Sequence, residues 1–252
     1  MLDFHLVPYP EWGIKPILFN IGSFPVPSYS FFMLLAILVG CFVYWFEARK
    51  QKKANENSFY LIIAALVGGA IGAKLPILFL YWEEIVLSFP DLSILVSGRT
   101  IVGGLIGGTL AVIYIKNKLG IKERRGNLFA PAIALGVAIG RIGCFLRGCC
   151  FGKPTSLPWG VDFGDGILRH PTQLYESIFM LGMFFYLRYL GKKNPVPGKL
   201  FDIFMISYFA FRFFIEFIRV EKVIFLGLTF FQFVSIAAVI WFARRYFFKK
   251  TF

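Results

Sequence analysis

The chain has 252 residues, of which 58% are hydrophobic and 16% charged, with a mean hydropathy of +0.69. Soluble domains carry about 25% charged residues, so this composition excludes an ordinary soluble domain and points to a protein held in a lipid bilayer. Lysine and arginine outnumber the acids 27 to 14, and the net charge of +13 has to be placed in the topology before it is read as a binding surface.

In chain order, Pro8, Pro10, Glu11 and Pro16 break up the first twenty residues. No basic segment followed by a short apolar run and a small-residue cleavage site is visible there, so the N-terminus is expected to be retained. Apolar windows of membrane-spanning length fall near 27–46, 57–80, 100–116, 128–147, 172–190, 199–219 and 227–243. The expected fold is therefore all-α, a polytopic transmembrane bundle forming one integral domain over residues 1–252, with seven spans. The third and fourth windows are rich in glycine and score weakly on hydropathy, which leaves a count of six open.

The loops orient the bundle. Arg49, Lys50, Lys52 and Lys53 follow the first window, and Lys116, Lys118, Lys122, Arg124 and Arg125 follow the third. Lys192, Lys193 and Lys199 follow the fifth, and Arg244, Arg245, Lys249 and Lys250 close the chain. These basic loops alternate with basic-poor ones, which puts the N-terminus outside and the C-terminus in the cytoplasm. The same alternation argues against nucleic acid as a partner. Gly68, Gly69 and Gly72, then Gly103, Gly104, Gly107 and Gly108, then Gly136, Gly140 and Gly143 recur at helical spacing, as close helix packing in lipid demands. The connection 151–171 is assigned to the outer side, and its Lys153-Pro154-Thr155 and Leu157-Pro158-Trp159-Gly160 read as an interfacial lid or docking edge.

Charges inside the windows cost about 2.5 to 3.5 kcal/mol each at mid-helix and need a partner or a purpose. Arg141 lies in the fourth window, while Arg212 and Glu216 lie in the sixth. Arg212, Glu216 and Arg219 fall at i, i+4 and i+7, which predicts one helix face on which Glu216 neutralises one arginine and a net positive patch remains. A buried pair that fixes helix register, with Arg141 and Arg147 reaching the outer headgroups, is the plain alternative. The functional alternative is an anion site within the bilayer, where guanidinium groups hold lipid phosphate bidentately. Lys74 and Arg99 add positive charge on the outer half, or serve as interface anchors. "RHPTQLYE" gathers Arg169, His170, Gln173, Tyr175 and Glu176 where an apolar helix starts, more polar groups than capping requires. Cys144, Cys149 and Cys150 lack the spacing of a structural zinc site. They read as small buried hydrophobes, with thiol redox chemistry as the rival.

Three strings, "GRIGCFLRGCCFGKPTSLPWGV", "RHPTQLYES" and "RFFIEFIR", resemble in order and spacing the signature regions of bacterial prolipoprotein diacylglyceryl transferases. "GAKLPILFLYW", "SGRTIVGGLIGG" and Gln232 with Ser235 extend the resemblance over nearly the whole chain. It implies a multi-pass enzyme of the bacterial inner membrane that moves the diacylglyceryl group of phosphatidylglycerol onto the lipobox cysteine of a preprolipoprotein signal peptide, without cofactor or metal. By the same resemblance Arg141 and Arg212 are catalytic and clamp the phosphate, Glu216 orients Arg212, and Tyr29 and His170 add polar contacts. Arg147, Gly143, Gly148, Gly152, Gln173, Tyr175, Glu176, Arg219, Gly103 and Gly104 are expected to bind substrate and surrounding membrane lipids. The chain departs from the family pattern where Cys144, Arg147 and Cys149 stand for two asparagines and a glutamate, and where Val102 stands for the histidine often given as thiol base. Three readings follow: the transferase, or a divergent relative using another acceptor; a protein that binds or transports anionic phospholipid; and a membrane thiol oxidoreductase.

Overall fold

The computed structural model describes residues 12–87, 98–193 and 195–248. The expectations about Pro8, Pro10, Glu11 and the retained N-terminus, and about Lys249 and Lys250, lie outside the described residues. Among those described, the chain is mostly helical, and it divides into two compact units: the stretch ending at Tyr44 together with that from Arg124 onward, and Trp45–Glu123.

The second unit contains α2 (Glu56–Leu80), the short α3 (Trp82–Leu87) and α4 (Ile101–Lys118). Here α2 and α4 meet through their glycines. A Cβ at Gly107 would come within 2.7 Å of the Gly72 Cα, so no other side chain fits between these backbones. Thr100 starts α4 by accepting the Gly103 N–H at 3.2 Å, and its own N–H donates to the Ala73 carbonyl of α2 at 2.9 Å.

The first unit opens with a hairpin of β1 (Ile17–Ile21) and β2 (Phe24–Pro27), which feeds α1 (Ser28–Lys50). It continues with α5 (Gly126–Arg147), a small hairpin of β3 (Val161–Asp162) and β4 (Leu168–Arg169), α6 (Thr172–Gly191) and α7 (Lys199–Ile215). A third hairpin of β5 (Val223–Phe225) and β6 (Leu228–Thr229) leads into α8 (Phe230–Phe248). Small residues seat α1 on α5, with Gly136 facing the Ala36 carbonyl and Gly143 facing Phe32 and Tyr29. The Ser177 hydroxyl of α6 donates to the Ala138 carbonyl of α5 at 2.8 Å, and Phe179 stacks on Phe211 of α7 with centroids 4.3 Å apart. At the far end Arg245 of α8 pairs with Asp202 of α7 at 2.6 Å.

Among the described residues three helices, α1, α2 and α5, are long and apolar enough to cross a membrane by length and composition. The sixth window was expected to be helical through residue 219, but α7 stops at Ile215, followed by one 3-10 turn at Glu216–Ile218 and extended backbone at Arg219. The last helix starts at Phe230 rather than near 227, because β6 occupies Leu228–Thr229.

An added methyl between α2 and α4 meets backbone, which cannot yield as a side chain can. Gly107→Ala is expected to destabilise the protein by about 1–3 kcal/mol in thermal unfolding in detergent. Gly182→Ala in α6, where nothing lies within 4 Å of the added carbon, is expected to leave stability unchanged or slightly raised.

Candidate active site

The last turn of α5, the start of α6 and the end of α7 meet around Tyr208, a fully buried residue of α7. Arg141, Arg212, Arg219 and Glu176 all act on its hydroxyl electrostatically. Arg141 Nη2 lies 2.5 Å from Glu176 Oε2, and Arg212 Nη2 lies 2.8 Å from Glu216 Oε2. Arg219 Nη2 lies 2.9 Å from Glu221 Oε1, and its Nε 3.8 Å from Glu216. The three guanidinium groups are 5 or 6% exposed. The expected positive patch is thus corrected: each buried arginine has its own carboxylate, because an uncompensated charge at this depth would cost several kcal/mol. Arg212 also lies over the Phe231 ring, and the Thr229 hydroxyl donates to Glu216 Oε1 at 3.0 Å.

These pairs leave donors unused. Arg141 Nε, Arg212 Nε, Arg219 Nε and the Tyr208 hydroxyl are buried without a hydrogen-bond partner among the described residues. Buried polar atoms are rarely left so, and three arginine Nε atoms with one tyrosine hydroxyl suit a multidentate acceptor such as a phosphate.

Gly148 ends α5 at φ 75°, a left-handed conformation suited to glycine, and its N–H donates to the Cys144 and Phe145 carbonyls. The chain then turns through Cys149 and Cys150. Thr172 and Gln173 do not cap α6, whose N-terminus at Pro171 has no side-chain cap bond. Gln173 Nε2 donates to the Cys149 carbonyl at 2.6 Å, and the Thr172 hydroxyl to the Cys150 carbonyl at 2.6 Å. Arg219 Nη1 donates to the same Cys150 carbonyl at 2.9 Å. The three sulfur atoms of Cys144, Cys149 and Cys150 lie within 4.8 Å of one another, all as free thiols, and Arg141 Nη1 stands 4.0 Å from Cys144 Sγ.

Residues 148–171 fold back over a core of Trp12, Phe151 and Phe163. Trp12 Nε1 donates to the Gly148 carbonyl at 2.7 Å, and Gly152 donates to the His170 carbonyl at 2.9 Å. A side chain at Gly152 would strike the Ile218 carbonyl at 2.6 Å, so glycine is required there. Asp162 receives the N–H groups of Gly164, Asp165 and Gly166, and Arg169 holds Asp165 through two bonds of 2.6 Å. That guanidinium holds the Asp165 carboxyl down to about 2. His170 Nδ1 is 3.4 Å from the Tyr175 hydroxyl, which accepts from Trp159 Nε1 at 2.7 Å.

The first unit therefore brings together Arg141, Arg212, Glu216, Arg219, Glu176 and Gln173. His170 and Tyr175 form a separate polar pair on the loop side, and Tyr29 carries Arg147, 5.4 Å from its ring. Gly143, Gly148 and Gly152 serve the packing of this region, whereas Gly103 and Gly104 belong to the second unit and face Gly72 and Gly69 there, close to buried Val102. Lys74 and Arg99 repel one another within that unit. Sequence reading missed Tyr208, Glu221 and Thr229. Tyr208 had a signal, since Tyr208, Arg212 and Glu216 follow at i, i+4 and i+8 on one helix stripe.

A family model described as prolipoprotein diacylglyceryl transferase matches residues 16–247. The chain belongs to the prolipoprotein diacylglyceryl transferase family. The chain is 34% identical over 213 residues to a Clostridium tetani protein named phosphatidylglycerol–prolipoprotein diacylglyceryl transferase, an alignment covering 82% of this chain and 86% of the relative. It is 33% identical to a Wolbachia pipientis protein of that name over 82% of each chain, and 31% identical to one from Finegoldia magna over 89% and 91%. These matches place the cluster around Tyr208 in a family of membrane transferases and favour neither a lipid transporter nor a thiol oxidoreductase.

Glu176→Gln is expected to lower stability by about 3–5 kcal/mol in thermal unfolding, since it strands the Arg141 charge. The Asp165–Arg169 pair is more exposed and supports only its loop. Because folding depresses the Asp165 pKa, its stabilisation is complete above the ordinary carboxyl value of 3.8 and is lost as pH falls through about 2. Pepsin cleavage near Gly164–Gly166 is expected to accelerate across that window in the wild-type protein, whereas Asp165→Asn cleaves readily throughout it.

Proposed function

We propose that this chain transfers the diacylglyceryl group of phosphatidylglycerol to the lipobox cysteine thiol of preprolipoproteins. The observation that carries this reading is a set of three buried arginines, Arg141, Arg212 and Arg219, each held by a carboxylate and each with an Nε that has no hydrogen-bond partner among the described residues. In the reaction a thiolate attacks the glycerol carbon that bears the phosphate, the carbon–oxygen bond breaks, and glycerol phosphate leaves. Its charge grows from one to nearly two as the bond breaks. Donors fixed in a water-poor site stabilise that change more than they stabilise the bound lipid.

Arg141 and Arg212 hold the phosphate, while Glu176 and Glu216 fix the two guanidinium planes and keep the empty site electrically balanced. Arg147 has no carboxylate partner among the described residues and supplies the extra positive charge that a phosphodiester calls for. Gln173 and Arg219 complete the polar lining, Tyr29 stays beside Arg147 and His170 with Tyr175 on the loop side, and Gly143, Gly148 and Gly152 allow close approach. The 151–171 loop stands on the outer side as a docking edge for signal peptides, with Trp159 exposed at its tip. The topology in this reading is a single integral domain of seven spans in the bacterial cytoplasmic membrane, N-terminus outside and C-terminus inside, flanked by basic loops.

Purified protein supplied with head-group-labelled phosphatidylglycerol and a lipobox peptide is expected to release labelled glycerol phosphate. Arg141→Lys and Arg212→Lys are expected to cut that release by about 10²–10³-fold with the fold intact, because an ammonium cannot reproduce the planar fork of donors. Release that fails with wild-type protein, or that survives both substitutions, counts against the proposal.

A further inference from the structure

The turn that closes α5 carries a cluster that the phosphate clamp leaves unused. The sulfur atoms of Cys144, Cys149 and Cys150 lie within 4.8 Å of one another although the residues are separated by a helix end. Linear spacing hides this, since the left-handed Gly148 reverses the chain and returns Cys149 and Cys150 over Cys144. Cys150 itself has φ 63°, an unfavourable backbone for a residue with a side chain, of the kind that persists where surrounding structure enforces it. The enforcing contacts are present: Gln173, Thr172 and Arg219 hold the carbonyls of Cys149 and Cys150.

We propose that Cys144, Cys149 and Cys150 form a three-thiolate zinc site whose fourth position receives the thiol of the acceptor. Tetrahedral zinc with sulfur at about 2.3 Å sets its ligand sulfurs about 3.8 Å apart, so the cluster closes onto the ion by side-chain rotation of about 1 Å. Three protein ligands and one open position is the pattern of catalytic rather than structural zinc. Zinc with three thiolates carries one net negative charge, and Arg219, whose Nη1 donates to the Cys150 carbonyl at 2.9 Å, stands close enough to balance it. A metal here sits beside the Arg141 side chain, which stands 4.0 Å from Cys144 Sγ. The site also answers the loss of the family's histidine at Val102, because zinc lowers the pKa of a bound thiol without a general base.

The zinc site stands on the cysteine geometry alone; its part in thiol activation rests on the transferase reading. Binding of the acceptor thiol to zinc forms a zinc–sulfur bond and releases one proton to water. That sulfur then donates its electron pair to the glycerol carbon, the carbon–oxygen bond breaks, and its electrons leave with the glycerol phosphate. The thioether product is a poor zinc ligand and departs.

Full-length protein purified in detergent with a reductant is loaded with zinc sulfate, desalted and assayed for metal by mass spectrometry. About one zinc per chain is expected. Zinc is also expected to slow iodoacetamide alkylation of Cys144, Cys149 and Cys150 by at least about tenfold and to leave Cys41, on α1, at its original rate. The triple Cys→Ser variant is expected to lose the metal, and the alkylation result decides the matter on wild-type protein should that variant misfold. Zinc below about a tenth per chain, zinc retained by a folded triple variant, or equal alkylation with and without zinc overturns the site. With zinc bound, glycerol phosphate release insensitive to a chelator that strips it overturns the activating role. Absence of any release from zinc-loaded protein counts instead against the transferase reading and leaves the metal site standing.

Discussion

The fold of the first unit is governed by the need to keep charged guanidinium groups inside apolar protein. Arg141, Arg212 and Arg219 come from α5, the end of α7 and the extended residue after the 3-10 turn, and each meets a carboxylate: Arg141 from another helix, Arg212 from the next turn and Arg219 from two residues on. Removing water from such ions costs several kcal/mol apiece, so the carboxylates have to arrive in register with the arginines. Glu176 accordingly sets α6 against α5. Glu216 lies just beyond the last turn of α7, where a 3-10 turn brings it under both Arg212 and Arg219. The β5–β6 hairpin then delivers Thr229 to the far oxygen of Glu216.

Charge balance of this kind is what lets the proposed phosphate site stay folded before an anion arrives. Pairing alone would make the cluster inert, but the arginine Nε atoms and the Tyr208 hydroxyl keep hydrogen-bonding capacity in reserve. A phosphate adds partners without displacing the carboxylates that hold the geometry. The same logic governs the Cys149–Cys150 turn, whose carbonyls are gripped by side chains from α6 and from Arg219. Arg219 thereby links the buried ion pairs to the thiol cluster.

Much of this was legible in the sequence. Hydropathy located the helices within a few residues, because apolar length is the dominant signal for a chain in lipid. The cost of burying Arg141, Arg212 and Glu216 singled out those residues before any contact was known. Glycine spacing marked the helix faces that pack closely, as Gly72 and Gly107 do. The end of α7 was not legible: no glycine or proline interrupts "RFFIEFIR", and the helix stops because Glu216 and Arg219 have partners to reach. Thr172 and Gln173 resembled capping residues, yet their side chains serve carbonyls more than twenty residues away.

Composition, helix positions and the identity of the costly residues are properties of local chemistry and are read one stretch at a time. Pairing is different. Which carboxylate answers which arginine, that Tyr208 stands at their centre, and that Cys144 lies against Cys149 and Cys150 depend on how helices cross and where a chain reverses. Those are decided by packing between segments far apart in the chain, for which a single sequence carries no periodic signal.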